Sequence, residues 1–334
     1  MRVVITGGAG FIGNKLAQRL LAQGTLMGPS GNQETIEELV LFDQMAPAGF
    51  DDPRLTAVVG DIADAGDVAA VIGDRTDSIY HLAAIVSAQA EADFETGYRI
   101  NLDGTRNVLE AARKMPGVPR VVFASSIAVY GGTGLPEVVN DVTPLTPQTS
   151  YGIAKSAGEG LITDYSRKGF VDGRALRLPT ICVRPGKPNR AASTWVSSMI
   201  REPLSGVDVV CPVRSDSAMA CLSPRRIVDI MVRMHDLPAD KLGDWRGLLL
   251  SGITVTAGEI AEAVERRGNE MKLGAINFVL DPETQAIVDG WPKGCHSDRA
   301  SALGFEADAS IDEIIDGFIE DDLAAQIASL GEPS

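Results

Sequence analysis

Between Arg2 and Arg177, six short apolar, β-branched runs alternate with segments of helical periodicity. That alternation restricts the chain to a mostly parallel sheet covered on both faces. The strand-like runs lie at 2–6, 38–42, 55–59, 78–82, 120–124 and 173–177, and helical stripes fall at 14–22, 68–72, 94–112 and 150–169. Parallel neighbours cannot be joined by tight hairpins, and crossovers of this length are what they need. The expected fold class is α/β, a doubly wound parallel sheet. The segment 24–33 reads as a polar, Gly-rich loop, longer than an ordinary link between a first helix and a second strand.

The rhythm breaks after Arg177, where Pro179, Pro185, Pro188, Pro203 and Pro212 interrupt it. Residues 1–177 are expected to form the nucleotide-binding domain. Residues 178–334 are expected to form a smaller mixed α/β substrate domain over the carboxyl edge of the sheet, with 248–250 returning to it. Thr256 with Glu259 three residues on predicts a capping box for a helix at 256–267, and 310–330 supplies at least one terminal helix.

Thr6 to Gly13 reads TGGAGFIG and sits where the first strand passes into the first helix. Gly7 can make the tight turn, Gly10 lets backbone approach a pyrophosphate, and Gly13 permits close helix–sheet packing. Phe11 and Ile12 complete the loop, and the helix that follows offers at its N-terminus unpaired N–H groups and a favourable dipole. This strand–loop–helix context predicts a Rossmann-type dinucleotide site. Asp43, at the end of the second strand, can accept from both adenosine ribose hydroxyls and would repel a 2′-phosphate, which favours NAD. Asp61 and Ile62 can frame adenine, the carboxylate accepting from its amine and the isoleucine packing on its ring; Asp61 is alternatively a plain surface acid. Leu82, Ala83 and Ala84 supply the small strand end a dinucleotide runs along. Asn101 either steadies a backbone carbonyl or water near the site or is an ordinary polar helix residue.

Tyr151 and Lys155 stand four residues apart and so share a helix face. Oxidising an alcohol requires removal of its hydroxyl proton, and tyrosine is a poor base at its ordinary pKa of about 10. A nearby ammonium favours the phenolate, and the same lysine can hold the nicotinamide ribose. Ser126, closing the fifth strand, can hydrogen-bond the substrate oxygen.

These residues resemble the extended short-chain dehydrogenase/reductase family, the group that also contains nucleotide-sugar epimerases and dehydratases. The likeness rests on the glycine loop, Asp61, the Leu82–Ala84 stretch, Asn101, Ser125 and Ser126 followed by Val129, Tyr130 and Gly131, and Tyr151 with Lys155. It implies that Ser126, rather than Ser125, is the catalytic hydroxyl and that Pro179 and Ile181 lie near the nicotinamide carboxamide. It also implies dimerisation through the helices at 94–112 and 150–169, hence a homodimer.

A 4,6-dehydratase needs an acid beside the catalytic hydroxyl, and Ile127 and Ala128 stand there instead. The segment after the sixth strand departs from the UDP-binding pattern of epimerases. It carries Arg184, Lys187, Asn189 and Arg190, donors suited to a small carboxylate, though each is alternatively a solvated residue of a basic turn. This segment, residues 147–150, Cys211 to Val213 and the stretch from Arg299 to Phe305 resemble the family's D-erythronate-oxidising subgroup. The subgroup implies NAD-dependent oxidation of the C2 hydroxyl of a four-carbon sugar acid, with Arg184, Lys187 and Asn189 as carboxylate anchors. A sugar-nucleotide 4-epimerase is the alternative enzyme, and a catalytically silent NAD-binding protein the alternative of another class.

Composition narrows the partners. A formal net charge of −15 argues against nucleic acid and anionic membranes. No leader-like or membrane-length apolar run is present, so a cytoplasmic location is expected, with Cys182, Cys211, Cys221 and Cys295 as reduced thiols. His81, His235 and His296 form no ligand spacing and no metal is expected; His81 reads as packed within its strand.

Overall fold

The computed structural model describes residues 1–47, 49–187 and 192–330. Seven strands form the central sheet: β1 (Arg2–Thr6), β2 (Glu38–Asp43), β3 (Leu55–Val59), β4 (Ser78–His81), β5 (Arg120–Ser126), β6 (Asp172–Leu178) and β7 (Gly247–Leu249). Their spatial order is β7-β6-β5-β4-β1-β2-β3, and the sheet is parallel. Chain order reverses between β1 and β4, so the crevice at their carboxyl ends is the switch point where such sheets bind ligands. Register brings the ends together: Thr6 lies opposite Phe42 on one side and His81 on the other.

Both faces of the sheet are covered, which is why its inner strands are apolar runs rather than alternating ones. On one face Val4, Val40, Ile79, Val121 and Phe123 join Val68, Val108, Leu109 and Ile162 from the crossover helices in one buried cluster. The helix Phe11–Gln23 buries Leu16, Ala17 and Leu20.

Two expectations change. The segment 24–33 is no open loop: Thr25–Met27 pairs antiparallel with Gln33–Thr35. Its anchors are remote in sequence, since the Met27 N–H donates to Asp236 Oδ1 at 2.9 Å and Arg120 Nη1 donates to the Met27 carbonyl at 2.9 Å. The helix expected over 94–112 is Phe94–Tyr98, a π turn at Arg99–Asp103, then Gly104–Arg113. The π turn admits an extra residue and re-aims the side chains on it. The terminal segment, expected to supply at least one helix, supplies two, Ile311–Asp321 and Leu323–Leu330.

The chain divides into two compact units assembled from separated stretches. The first comprises Met1–Val129, Pro147–Arg177 and Val228–Leu248; the second comprises Tyr130–Thr146, Leu178–Ile227 and Leu249–Ser334. The second has its own core, in which Val196, Met199 and Ile200 meet Ile260, Val264, Ile314 and Phe318. Its helix Ala257–Arg267 starts with the capping box of Thr256 and Glu259. Among the described residues no helix is long and apolar enough to cross a membrane.

Candidate active site

The glycine loop leaves β1 in a turn that side chains would obstruct. Gly7 has φ +73°, and a Cβ there would lie 2.7 Å from the Ala83 nitrogen; one at Gly13 would lie 2.2 Å from the Gly7 carbonyl oxygen. Gly10 is the N-cap of the helix Phe11–Gln23, and no side chain caps that end. Phe11 and Ile12 are half-buried in the first turn. An uncapped helix start beside a glycine cradle suits a pyrophosphate.

Asp43 secures this loop: its Oδ2 accepts from the Ala9 N–H at 3.0 Å, and its Oδ1 accepts from Met45 at 3.3 Å. Leu82, Ala83 and Ala84 are half-buried just past β4, where the Leu82 N–H donates to the Thr6 carbonyl at 3.1 Å. Asn101 lies in the π turn, is buried, and clamps Ile85: Oδ1 accepts from its N–H at 2.9 Å and Nδ2 donates to its carbonyl at 3.1 Å.

Two adenine-site expectations need revision. Asp61 Oδ2 accepts from Arg99 Nη1 at 2.7 Å, and this hydrogen bond, with one from the Ala63 N–H, holds its carboxyl below the ordinary value. An incoming amine would share that carboxylate with Arg99. Ile62 is buried beneath Gly104, so its side chain belongs to the core and cannot pack on adenine.

Ser126, Tyr151 and Lys155 come together at the end of β5 and the start of the helix Ser150–Arg167. Thr149 caps that helix by accepting from the Gly152 N–H. Close approach is possible because residue 152 is glycine; a Cβ there would lie 2.2 Å from the Ala128 carbonyl oxygen, in the turn that follows Ser126. Burial pushes the Tyr151 phenol above its ordinary value, and a hydrogen bond from Ser126 opposes the rise. Lys155 Nζ lies 5.6 Å from the Tyr151 ring centroid and donates to the Ala124 carbonyl at 2.8 Å. Burial pulls Lys155 down to about 7. The expected lowering of the tyrosine by its lysine is not found: burial raises the phenol, and the group that opposes the rise is Ser126. A buried ammonium with three donors and one carbonyl partner suits ribose hydroxyls, so cradle and lysine together fit a dinucleotide.

The remaining predicted residues belong to the second unit. Pro179 is buried, and Ile181 is half-buried on the strand Thr180–Ile181. Arg184 and Lys187 are exposed; the Arg184 backbone is fixed by Ser197 Oγ, which accepts from its N–H at 3.0 Å, and by Arg201 Nη1, which donates to its carbonyl. Asn189 and Arg190 lie outside the described residues. No group of three or more His, Cys, Asp or Glu among the described residues is arranged to hold a metal ion.

Sequence reasoning missed Glu159, which continues the Tyr151–Lys155 row by another four residues and is fully buried. The same four-residue spacing was the available signal. It also missed that His81 bridges Thr6 Oγ1 at 2.7 Å and Thr105 Oγ1 at 3.0 Å, contacts no local pattern reveals.

Comparison with known proteins agrees with this geometry. Residues 3–242 match the model of the NAD dependent epimerase/dehydratase family. The chain is 49% identical to the D-erythronate dehydrogenase of Cupriavidus necator, over 96% of this chain and 98% of that one. It is 43% identical to the D-erythronate dehydrogenase of Haemophilus influenzae, over 97% and 100% respectively. The crystal structure of the nucleoside-diphosphate-sugar epimerase from Agrobacterium tumefaciens superposes with a TM-score of 0.90 at 41% identity, covering 98% of this chain and 96% of that one. The chain is accordingly an NAD-dependent oxidoreductase acting on a CH–OH group. It belongs to the NAD-dependent epimerase/dehydratase family, the extended short-chain dehydrogenases/reductases.

Proposed function

We propose that this chain oxidises the C2 hydroxyl of D-erythronate, or of a closely related four-carbon sugar acid, to the 2-oxo acid. The observation that carries the substrate is near-full-length identity of 49% and 43% to two D-erythronate dehydrogenases. The chemistry is supported by the convergence of Ser126, Tyr151 and Lys155. NAD, when bound, supplies the hydride acceptor.

The catalytic roles rest on that convergence, and the substrate and carboxamide roles on the sequence pattern. Tyr151 Oη, deprotonated, takes the C2 hydroxyl proton. Ser126 Oγ holds the same substrate oxygen and stabilises the phenolate. Lys155, anchored on the Ala124 carbonyl, keeps its other donors for ribose hydroxyls, and regains its charge as polar partners offset its desolvation. Gly7, Gly10 and Gly13 cradle the pyrophosphate, with Asp43 at the adenosine ribose. Pro179 and Ile181 line the carboxamide. Arg184, Lys187 and Asn189 anchor the carboxylate. Exposed apolar side chains on the two expected helices, Phe94 at 61% and Ile153 at 43%, support a homodimer. Four free cysteines, all buried, agree with a reducing cytoplasm.

A sugar-nucleotide 4-epimerase is the second reading, favoured by the likeness to the Agrobacterium nucleoside-diphosphate-sugar epimerase at 41% identity. Mixing enzyme, NAD and D-erythronate separates the two. Stoichiometric NADH formation is expected of the dehydrogenase, whereas an epimerase gives no net change in free NAD. Tyr151→Phe is expected to lower kcat at least a thousandfold while NADH still binds; full turnover by that variant would overturn the assigned base.

A further inference from the structure

The helix that carries Tyr151 and Lys155 places a third side chain on the same face. Glu159 is fully buried, and Arg177 of β6 holds it with two-pronged geometry: Nε donates to both carboxylate oxygens at 3.0 Å and Nη2 to Oε2 at 2.7 Å. A buried ion pair alone says little, because a packed apolar pair can hold two elements as well. The third partner is what distinguishes this one. Ser125 Oγ donates to Glu159 Oε1 at 2.5 Å, and Ser125 is the residue immediately before Ser126.

The chain makes room for this cluster. A Cβ at Gly247 of β7 would lie 2.4 Å from Glu159 Oε2 and 2.9 Å from Arg177 Nη2. β5, through Ser125, and β6, through Arg177, are therefore both tied to one carboxylate, with β7 packed close beside it. Helix and strand are joined twice within two consecutive residues of β5, by Lys155 to the Ala124 carbonyl and by Ser125 to Glu159. The height of Tyr151 against Ser126 follows from those two ties.

We propose that Glu159, clamped by Arg177, is a positioning residue for proton transfer, acting through Ser125 to set the alignment of Ser126 with Tyr151. It touches neither substrate nor cofactor in this role. The proposal rests on Tyr151 being the base. Lys155 on its own helix lies 5.6 Å from the Tyr151 ring centroid, and Glu91 accepts from the adjacent Ser150 N–H at 3.0 Å. Neither is changed by loss of the Ser125 hydroxyl, so a shift in the alkaline rise of kcat reports the Ser126 contact.

The test compares Ser125→Ala, which leaves the ion pair whole, with Glu159→Gln, which does not. NAD reduction by D-erythronate is followed across pH, and NADH binding is measured by fluorescence titration. For Ser125→Ala we expect kcat to fall about tenfold, misalignment of reacting groups being costly. Its pH rise should move to higher pH as the phenol loses its donor, with the NADH Kd within twofold of wild type. Glu159→Gln is expected to shift both readouts further in the same direction. If Glu159→Gln does not fold, Ser125→Ala decides alone. A Ser125→Ala enzyme with unchanged kcat and pH rise, whatever its melting temperature, overturns the proposal. Full activity of Tyr151→Phe would instead overturn the assigned base, so the two failures are distinguishable.

Discussion

Asn101 holds both polar atoms of one residue's backbone, accepting from the Ile85 N–H at 2.9 Å and donating to the Ile85 carbonyl at 3.1 Å. The π turn at Arg99–Asp103 turns the side chain toward the segment that leaves β4. That segment begins with Leu82, Ala83 and Ala84, along which the dinucleotide is proposed to run. Of the two readings open from sequence, a residue that steadies backbone is the one the contacts support.

Replacing Asn101 by Asp keeps the acceptor and removes the donor, leaving the Ile85 carbonyl facing a carboxylate in a buried site. An unmet buried hydrogen bond costs about 1–3 kcal/mol, so thermal unfolding should move down by several degrees. The NAD Kd, read by titration calorimetry, should rise about tenfold as residues 82–86 loosen. Unchanged cofactor affinity would confine Asn101 to folding.

Gly152 lies between the two proposed catalytic side chains, and its missing side chain brings the helix against the turn after Ser126. In Gly152→Ala the new methyl would lie 2.2 Å from the Ala128 carbonyl oxygen and 3.0 Å from Pro147 Cβ. Backbone must yield on one side, at a cost of about 1–3 kcal/mol. Separation of Tyr151 from Ser126 should lower kcat more than tenfold while leaving NADH affinity nearly intact. Steady-state kinetics beside a binding titration distinguishes this from global damage.

What was legible in the sequence is local chemistry. The TGGAGFIG turn and the Tyr151–Lys155 step are short-range patterns whose spacing is the mechanism itself, and the alternation of strands with helices dictates parallel topology. What was not legible joins distant positions. Glu159 meets Ser125 and Arg177, and Asp236 fastens the hairpin at Met27, 209 residues away. A π turn adds one residue without disturbing the apolar stripe, so periodicity passes over it. Ile62 looked like an adenine contact because it follows Asp61, yet the crossover helix passes directly above it and buries it.

Asp43 has two duties that a substitution separates. Its carboxylate accepts from Ala9 in the glycine loop and offers negative charge beside the proposed ribose position. Asp43→Asn retains an acceptor oxygen for Ala9 and removes the charge. Loop geometry should survive, NAD KM should rise about tenfold, and NADP KM should fall, narrowing the preference by about one to two orders of magnitude. Parallel kinetics with both cofactors checks it, and an unchanged ratio would remove Asp43 from cofactor selection.

His81 provides a test that needs no substrate. The Thr105 hydroxyl donates to the Asn101 carbonyl at 2.8 Å, so its oxygen accepts from His81 Nε2–H. His81 Nδ1 then accepts from the Thr6 hydroxyl, whose oxygen accepts from the Ala83 N–H at 3.3 Å. The bond that Nδ1 accepts from Thr6 requires a neutral imidazole. Burial, reinforced by Lys155, pulls His81 down to about 3, and burial pulls His235 down to about 4. A histidine depressed in the folded state binds its proton more readily when unfolded. Its stabilising effect is therefore complete above the unfolded value of about 6.5 and is lost as pH falls toward the folded value. Each histidine should add a slope approaching about 1.4 kcal/mol per pH unit below pH ~6.5. Urea unfolding of wild type and His81→Gln between pH 7 and 4.5 should show the variant less stable at neutral pH and its slope flatter by about one proton. Parallel slopes would mean that His81 is protonated within the folded chain, and the hydrogen-bond directions from Thr6 to Asn101 would have to be redrawn.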